Sequence, residues 1–445
     1  MSIATQQGMD LYLAHFEQME KDFATNNPPA VNRLRQTAMA RFVERGFPGP
    51  RNEDWRFTSV APIVQTTFQP AAADYERINR ISERVRAGTF TLPEGTRLVF
   101  VDGIFARDLS HLPLLGGGVV CGSLASALHD DPAAVEADLA RSARFDDHPF
   151  VALNTALFKD GAYVRVPPES VVEGPLFLVF IATTAGEPLV FHPRNLIVLE
   201  ASSQVTLVES YVALEEGVSF TNAVTEIVLA DNAVVDHYKV QRESTRAFHV
   251  AVTQVHQGRA SRFTSHYVGL GGGLVRNEVR AVLAAERCEC TLNGLYRAGG
   301  RQHADNFTVI DHAQPHCTSH ELYKGILDGH GHGVFNGKIF VRPGAQKTDA
   351  KQTNQTLLLS EDAVINTKPQ LEIFADDVKC THGATVGQLS EDALFYLRSR
   401  GLGKEQARGL LTFAFANDIV SRIKVEPIRA ELEALLTAGQ PILKD

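Results

Sequence analysis

The chain has 445 residues, 44% of them apolar and 21% charged, and carries a formal net charge of −9. That length supports roughly two or three domains and a large core, and the acidic balance argues against nucleic-acid binding as the main role. No apolar run reaches the length needed to span a bilayer, and the start Met1-Ser2-Ile3-Ala4-Thr5-Gln6-Gln7 lacks the basic head and apolar stretch of a signal peptide, so a cytoplasmic protein with no membrane partner is expected.

Residues 1–150 read as an N-terminal helical and mixed domain. Leu13, Phe16 and Met19 recur at helical spacing between Met9 and Phe23, and Pro28-Pro29 ends that segment. Val31, Leu34, Ala38 and Phe42 define a second amphipathic helix, closed by Gly46 and Pro48. A polar stretch, Asn52-Glu53-Asp54-Trp55-Arg56-Phe57-Thr58, surrounds the single Trp. Beyond it, Leu98 to Gly103 predicts a strand and turn, and Pro132 to Arg144 a helix.

From about residue 155 the character changes. Short Val-, Leu-, Phe- and Tyr-rich strands alternate with Gly, Asn, Asp and Pro turns, which predicts a β core over residues 151–388. An apolar anchor just before a turn recurs at Val198, Val228, Val255, Val282, Val309, Phe340 and Phe374. The three steps from Val228 to Val309 are equal, which an arbitrary sandwich rarely produces. The economical reading is a solenoid of stacked β coils, one coil per repeat, each hiding its apolar side against its neighbours. The same spacing places Cys290 and Cys317 side by side in adjacent coils, about one strand spacing (~4.8 Å) apart.

Residues 389–445 predict a C-terminal helical domain. Ser390 before Glu391-Asp392 is an N-cap with acidic residues in the first turn. Leu394, Phe395 and Leu397 form an apolar face that Gly401 closes. A second helix runs from Lys404 to Ile423, and Pro427 opens a third that ends near Thr437. The apolar residues exceed what so small a domain needs for itself.

Asp376-Asp377-Val378-Lys379-Cys380-Thr381-His382-Gly383, at the end of the β region, is the most informative stretch. Strand side chains alternate, so Cys380 and His382 share one face. Thiolate and imidazole are ligands for zinc and iron–sulfur units, but two donors do not complete a site. The alternative is two ordinary residues on a terminal coil. The adjacent carboxylates Asp376 and Asp377 face opposite ways and make a poor acid/base pair.

Other groupings read as structural. The five cysteines are Cys121, Cys288, Cys290, Cys317 and Cys380; an odd count without a CxxC motif gives neither a disulfide framework nor a closed zinc site. Cys288, Cys290 and Cys317 form either a thiolate cluster or a buried ladder of small residues. His303, His312, His316 and His320 crowd one coil, and His330 and His332 are placed to share a face, as a metal pair or as solvated imidazoles of a Gly-rich turn. Gly269 to Gly273 lies between strands and reads as a turn. There is no phosphate-binding loop, nucleophile elbow or HExxH motif.

Residues 290 to 423 resemble the SufB/SufD family of iron–sulfur cluster assembly proteins. The likeness rests on Asn293-Gly294-Leu295-Tyr296, on Ser319-His320-Glu321-Leu322-Tyr323-Lys324-Gly325 and on Gly333-Val334-Phe335-Asn336-Gly337-Lys338. It continues in Asp349-Ala350-Lys351-Gln352-Thr353-Asn354-Gln355, in Asn366-Thr367-Lys368-Pro369-Gln370-Leu371-Glu372-Ile373 and in the Cys380/His382 run. Asn52-Glu53-Asp54-Trp55-Arg56 is similar to the family's N-terminal signature, and Phe395-Tyr396-Leu397-Arg398-Ser399-Arg400-Gly401 to its helical tail. The SufB branch carries a cysteine in that tail helix, from which Leu397 departs, and a glutamate in place of the Cys380/His382 pattern. The chain is therefore nearer the SufD branch.

The resemblance implies a mainly β fold, a right-handed parallel β-helix flanked by N-terminal and C-terminal helical domains. It implies a non-enzymatic scaffold whose cargo is iron or a transient iron–sulfur cluster. Cys380 and His382 would be ligands where this solenoid meets a SufB-like subunit, with pairing of the chain to itself left open. A SufC-like ABC ATPase would dock on the C-terminal helices through Phe395, Leu411 and Phe415. A flavin, held at the level of the whole complex, is not readable from these residues. Two other readings stand beside this one. A polysaccharide-active β-helix enzyme needs a stripe of carboxylates along a groove, and the sequence has none. A purely structural adaptor needs Cys380 and His382 to be inert.

Overall fold

The computed structural model describes residues 3–72, 74–87, 90–183 and 186–437. Helices Ile3–Asn26 and Pro29–Arg45 open the chain. Pro29 suits a first helical position because its missing N–H has no partner to lose there. Gly46 closes the second helix at φ 67, its N–H bonded to the Phe42 carbonyl. Tyr12, Phe16, Met39 and Phe42 pack with Trp55 and Phe150 into one apolar cluster. Pro132 to Arg144 is helical only over Pro132–Glu136.

A helix absent from the sequence reading, Pro149–Leu157, has every residue after Pro149 buried. Its run Phe150-Val151-Ala152-Leu153 is apolar on all sides and so shows no helical period. The Asn154 amide anchors it by donating to the carbonyls of Pro193 (2.9 Å) and Asn222 (2.8 Å).

The strands then wind into a parallel β-solenoid of about seven turns. Successive strands contribute alternately to two sheets, so each coil adds one strand to each. One sheet ends on Val364–Ile373 and the other on Lys379–Gly387. Every coil but the last turns one corner on a non-glycine residue with positive φ: Glu169, Ser202, Asn232, Ala260, Arg287, His316 and Lys347. The backbone N–H of each donates to a carbonyl of the next coil, as in Asn232 to Arg259 (2.8 Å) and Lys347 to Asp377 (2.7 Å). Left-handed backbone costs a non-glycine residue about 1 kcal/mol, and this repeated bond between coils offsets it.

The equal steps of the sequence are not the register of the fold. His256, not Val255, stands opposite Val228, and Asp311, not Val309, stands opposite Val282. Val255 pairs with Ile227 and lies in the lumen, while Val309 pairs with Arg280 on the outer face. Corners differ in length by up to three residues, from the four after Leu229 to the seven after Val341, and a one-residue slip moves a strand residue to the other face.

The lumen is apolar at its margins and polar along a central track. Glu209 accepts from Tyr211 (2.7 Å) and faces His237 (3.3 Å), and Lys239 donates to Asn277 (3.0 Å). Burial pushes the Glu209 carboxyl up, but His237, Lys239 and Tyr211 outweigh it and hold the group down at about 2. Burial lowers the Lys239 ammonium to about 8.

Both outer faces are covered. Ile419, Val420, Ile428 and Leu432 of the C-terminal helices Lys404–Val420 and Glu426–Thr437 pack on Val208, Val240, Leu295 and Ile326 of one sheet. The segment Asn52–Thr58 straps the other. Asp54 binds Lys338 (2.5 Å), Glu53 binds Lys368 (2.5 Å), and Thr58 donates to Asp305 (2.6 Å). Among the described residues no helix is long and apolar enough to cross a membrane.

Candidate functional site

The last coil is open. Among the described residues, Val364–Ile373 and Lys379–Gly387 each pair with a strand on one side only, so both present free edges. Cys380 stands on Ala350 and His382 on Gln352. Ala350 is 0% and Gln352 1% exposed, because a further coil covers them. The same columns end at Cys380, which is half-buried, and at His382, which is exposed. The pair therefore occupies lumen positions that no following coil seals.

This rim is apolar as well as open. Phe374 is 62% and Val386 45% exposed, with Val364 and Ile373 beside them. Burial pushes the Cys380 thiol up, the backbone of Ala350 opposes, and the Asp349 charge adds to the rise. Asp376 and Asp377 tie the corner to the coil before it. The Gln346 amide donates to Asp376 (2.8 Å), Asp377 N–H donates to the Gln346 side-chain oxygen (2.9 Å), and Lys347 pairs with the Asp377 carboxylate.

Two buried polar side chains lie beneath His382 in the same column: Gln352, then Glu321. The Gln352 Nε2 donates to Glu321 Oε2 at 2.7 Å. Burial pushes the Glu321 carboxyl up to about 7, against the hydroxyl of Thr308 and the amide of Gln352. Beneath Cys380 the column runs through Ala350 and Ser319 to Cys290. Sequence reasoning named none of this support, although Glu321 and Gln352 stand inside quoted runs. Stacking them needs the coil register.

The other expected groupings resolve differently. Cys290 stands opposite Ser319, and the coil-equivalent of Cys317 is Cys288, whose carbonyl accepts from Thr318 N–H at 2.9 Å. Cys288 and Cys317 both donate to the carbonyl of Ala285, at 3.1 and 3.2 Å. The neighbouring Cys317 thiol lowers Cys288, while burial raises Cys290. All three sit in the apolar core. His330 is in an exposed turn 3.8 Å from Asp362, and His332 instead faces His303, with 3.1 Å between their Nδ1 atoms. His312 bonds Ser319 (2.9 Å) in the lumen. Among the described residues no three His, Cys, Asp or Glu side chains converge on a metal-sized site.

On the C-terminal helices the three singled-out residues separate. Phe395, in Glu391–Ser399, is 73% exposed. Leu411 is half-buried. Phe415 turns onto the solenoid, its ring 4.3 Å from the Lys324 ammonium, which also binds Asp418 (3.0 Å).

Comparison with known proteins gives the same architecture a family. The model of the SUF system FeS cluster assembly SufBD core domain matches residues 180–415, and that of the SufBD protein N-terminal region matches residues 6–178. An iron–sulfur cluster assembly SufBD family protein of Synechocystis is 36% identical over 92% of this chain and 90% of its own length. The iron–sulfur cluster assembly protein SufD of Escherichia coli is 30% identical over 95% of both chains. The SufD of Bacillus subtilis is 26% identical over 98% of this chain and 99% of its own. With both family regions matched in order, and relatives aligned nearly end to end, the chain belongs to the SufBD family of iron–sulfur cluster assembly proteins.

Proposed function

We propose that the chain is a non-catalytic scaffold subunit of a cytoplasmic iron–sulfur assembly complex. It pairs through its open solenoid end with a SufB-like subunit and through its C-terminal helices with a SufC-like ATPase. The observation that carries this reading is the unsealed last coil, where Cys380 and His382 continue two buried columns into the open. A thiol and an imidazole there supply part of a coordination set for iron or a nascent cluster, which is cargo. The partner supplies the rest, so a shift between subunits changes the coordination and releases what was built. Free strand edges beside exposed Phe374 and Val386 favour addition of a second protein at this end.

Co-expression with a SufB-like subunit and a SufC-like ATPase tests this, followed by pull-down and analysis of iron and acid-labile sulfide. The parent chain is expected to hold both partners. His382→Ala is expected to keep the complex and lose iron and sulfide. A His382→Ala complex that loads both like the parent ends the ligand role, and a parent chain that retains neither partner ends the assembly role. Native mass separates pairing with a SufB-like subunit from pairing with a second copy.

A further inference from the structure

The Gln352 side chain is almost fully buried and only half satisfied. Its Nε2 donates to Glu321, while its Oε1 has no hydrogen-bond partner. A buried amide oxygen left unpaired costs about 1–3 kcal/mol, so its retention calls for a reason. Two features fix which end of the amide is free. Glu321, one coil below, takes the nitrogen. Gly337, across the lumen, leaves the amide its room, since a Cβ on that residue would lie 2.3 Å from Gln352 Nε2. The neighbour above Gln352 in the ladder is His382.

Histidines that hold metals donate their second ring N–H to a carboxylate or carbonyl oxygen. That bond fixes the tautomer and the direction of the free nitrogen. Resting on the proposed ligand role of His382, we propose that Gln352 is its positioning residue. With the imidazole turned inward, the Gln352 Oε1, unpaired in this structure, accepts one ring N–H of His382, which leaves the other ring nitrogen, unprotonated, facing outward to the cargo. Glu321 acts one step further down by holding the amide so that its oxygen faces the rim. The unit is thus a three-coil stack, Glu321–Gln352–His382, of which only the last member is exposed.

The test uses the full chain without metal, labelled with ¹⁵N-histidine. The His382 ring signals are identified by their loss in His382→Ala, and long-range ¹H–¹⁵N spectra read which ring nitrogen carries the proton. One tautomer is expected to dominate in the parent and in Gln352→Glu, which keeps an acceptor oxygen. Gln352→Leu, similar in shape but without that oxygen, is expected to relax His382 to the tautomer ratio of a solvated histidine. Gly337→Ala, which evicts the amide without altering residue 352, is expected to do the same and decides the matter if Gln352→Leu does not fold. In the assembled complex, Gln352→Leu is expected to weaken iron uptake by about 10–100-fold.

An unchanged tautomer in the folded variants overturns the positioning role. An unchanged iron content in His382→Ala overturns the ligand reading instead, and the tautomer measurement stands apart from it.

Discussion

Cys380 sits directly over Ala350 in parallel register, and the two positions are set apart by the coil that covers one and not the other. The methyl of Ala350 is sealed and the thiol of Cys380 is half open. Cys288, Cys290 and Cys317, on comparable inward positions further down, are buried. Under native conditions, iodoacetamide is therefore expected to alkylate Cys380 well before those three. Peptide mass spectrometry over a time course checks this. Comparable labelling of Cys288 or Cys317 contradicts an intact, closed solenoid body.

Trp55 lies over the guanidinium of Arg276 at 4.0 Å and is 5% exposed. Arg276 is itself fully buried between Asp305 and Glu278. Trp55→Ala is expected to destabilise the protein by about 3–5 kcal/mol, the usual range for an aromatic removed from a core. Lys368→Ala, which breaks a surface pair with Glu53, is expected to cost less than about 1 kcal/mol. Urea unfolding of both variants measures the contrast. Equal losses mean that the strap is held by charge rather than by the buried ring.

Glu321 makes stability depend on pH with a defined sign. Burial raises its folded pKa from 4.5 to about 7. Between those values the folded chain keeps the proton and the unfolded chain releases it, so the folded state binds more protons and stability falls as pH rises. The contribution is fully present below about pH 4.5 and is lost by about pH 7, on the order of 3 kcal/mol at 1.36 kcal/mol per unit. Thr308 and Gln352 are the polar groups against this carboxyl, and the buried Tyr323 and Cys290 beside it stay protonated as burial raises both. Glu321→Gln removes the titration. Urea unfolding at about pH 5 and about pH 8 is expected to show the parent losing more stability than the variant. Parallel curves exclude the raised carboxyl.

Phe395 and Phe415 separate docking from folding. Phe395 is 73% exposed, so Phe395→Asp is expected to leave the unfolding free energy within about 0.5 kcal/mol of the parent. The same change is expected to abolish retention of the proposed SufC-like ATPase in a pull-down. Phe415 packs on the solenoid under Lys324, so Phe415→Ala is expected to destabilise by about 1–3 kcal/mol. An unfolded Phe395→Asp, or one that binds the ATPase normally, removes that helix from the docking surface.

Much of the fold was legible along the chain because its signals are local. Pro28-Pro29 and Gly46 mark helix ends through backbone geometry alone. Ser390 caps its helix in the structure, accepting from Ala393 N–H, as the Ser-Glu-Asp sequence predicts. The alternation of strand side chains put Cys380 and His382 on one face whatever the coil did next. Repeated strand–turn units announced a solenoid, since a strand with one apolar side must stack on something.

What only the tertiary structure decided is the register between coils. Corner lengths vary, and one residue of slip exchanges lumen for surface, so Val255 and Val309 left the anchor ladder and Cys317 found Cys288 instead of Cys290. The polar track through the lumen, the Trp55 strap and the helix Pro149–Leu157 were invisible for a related reason. Each depends on partners tens or hundreds of residues away, and such partners leave no period in the local sequence. That His382 crowns Gln352 and Glu321 follows from the same fact: a column exists only once the coils have stacked.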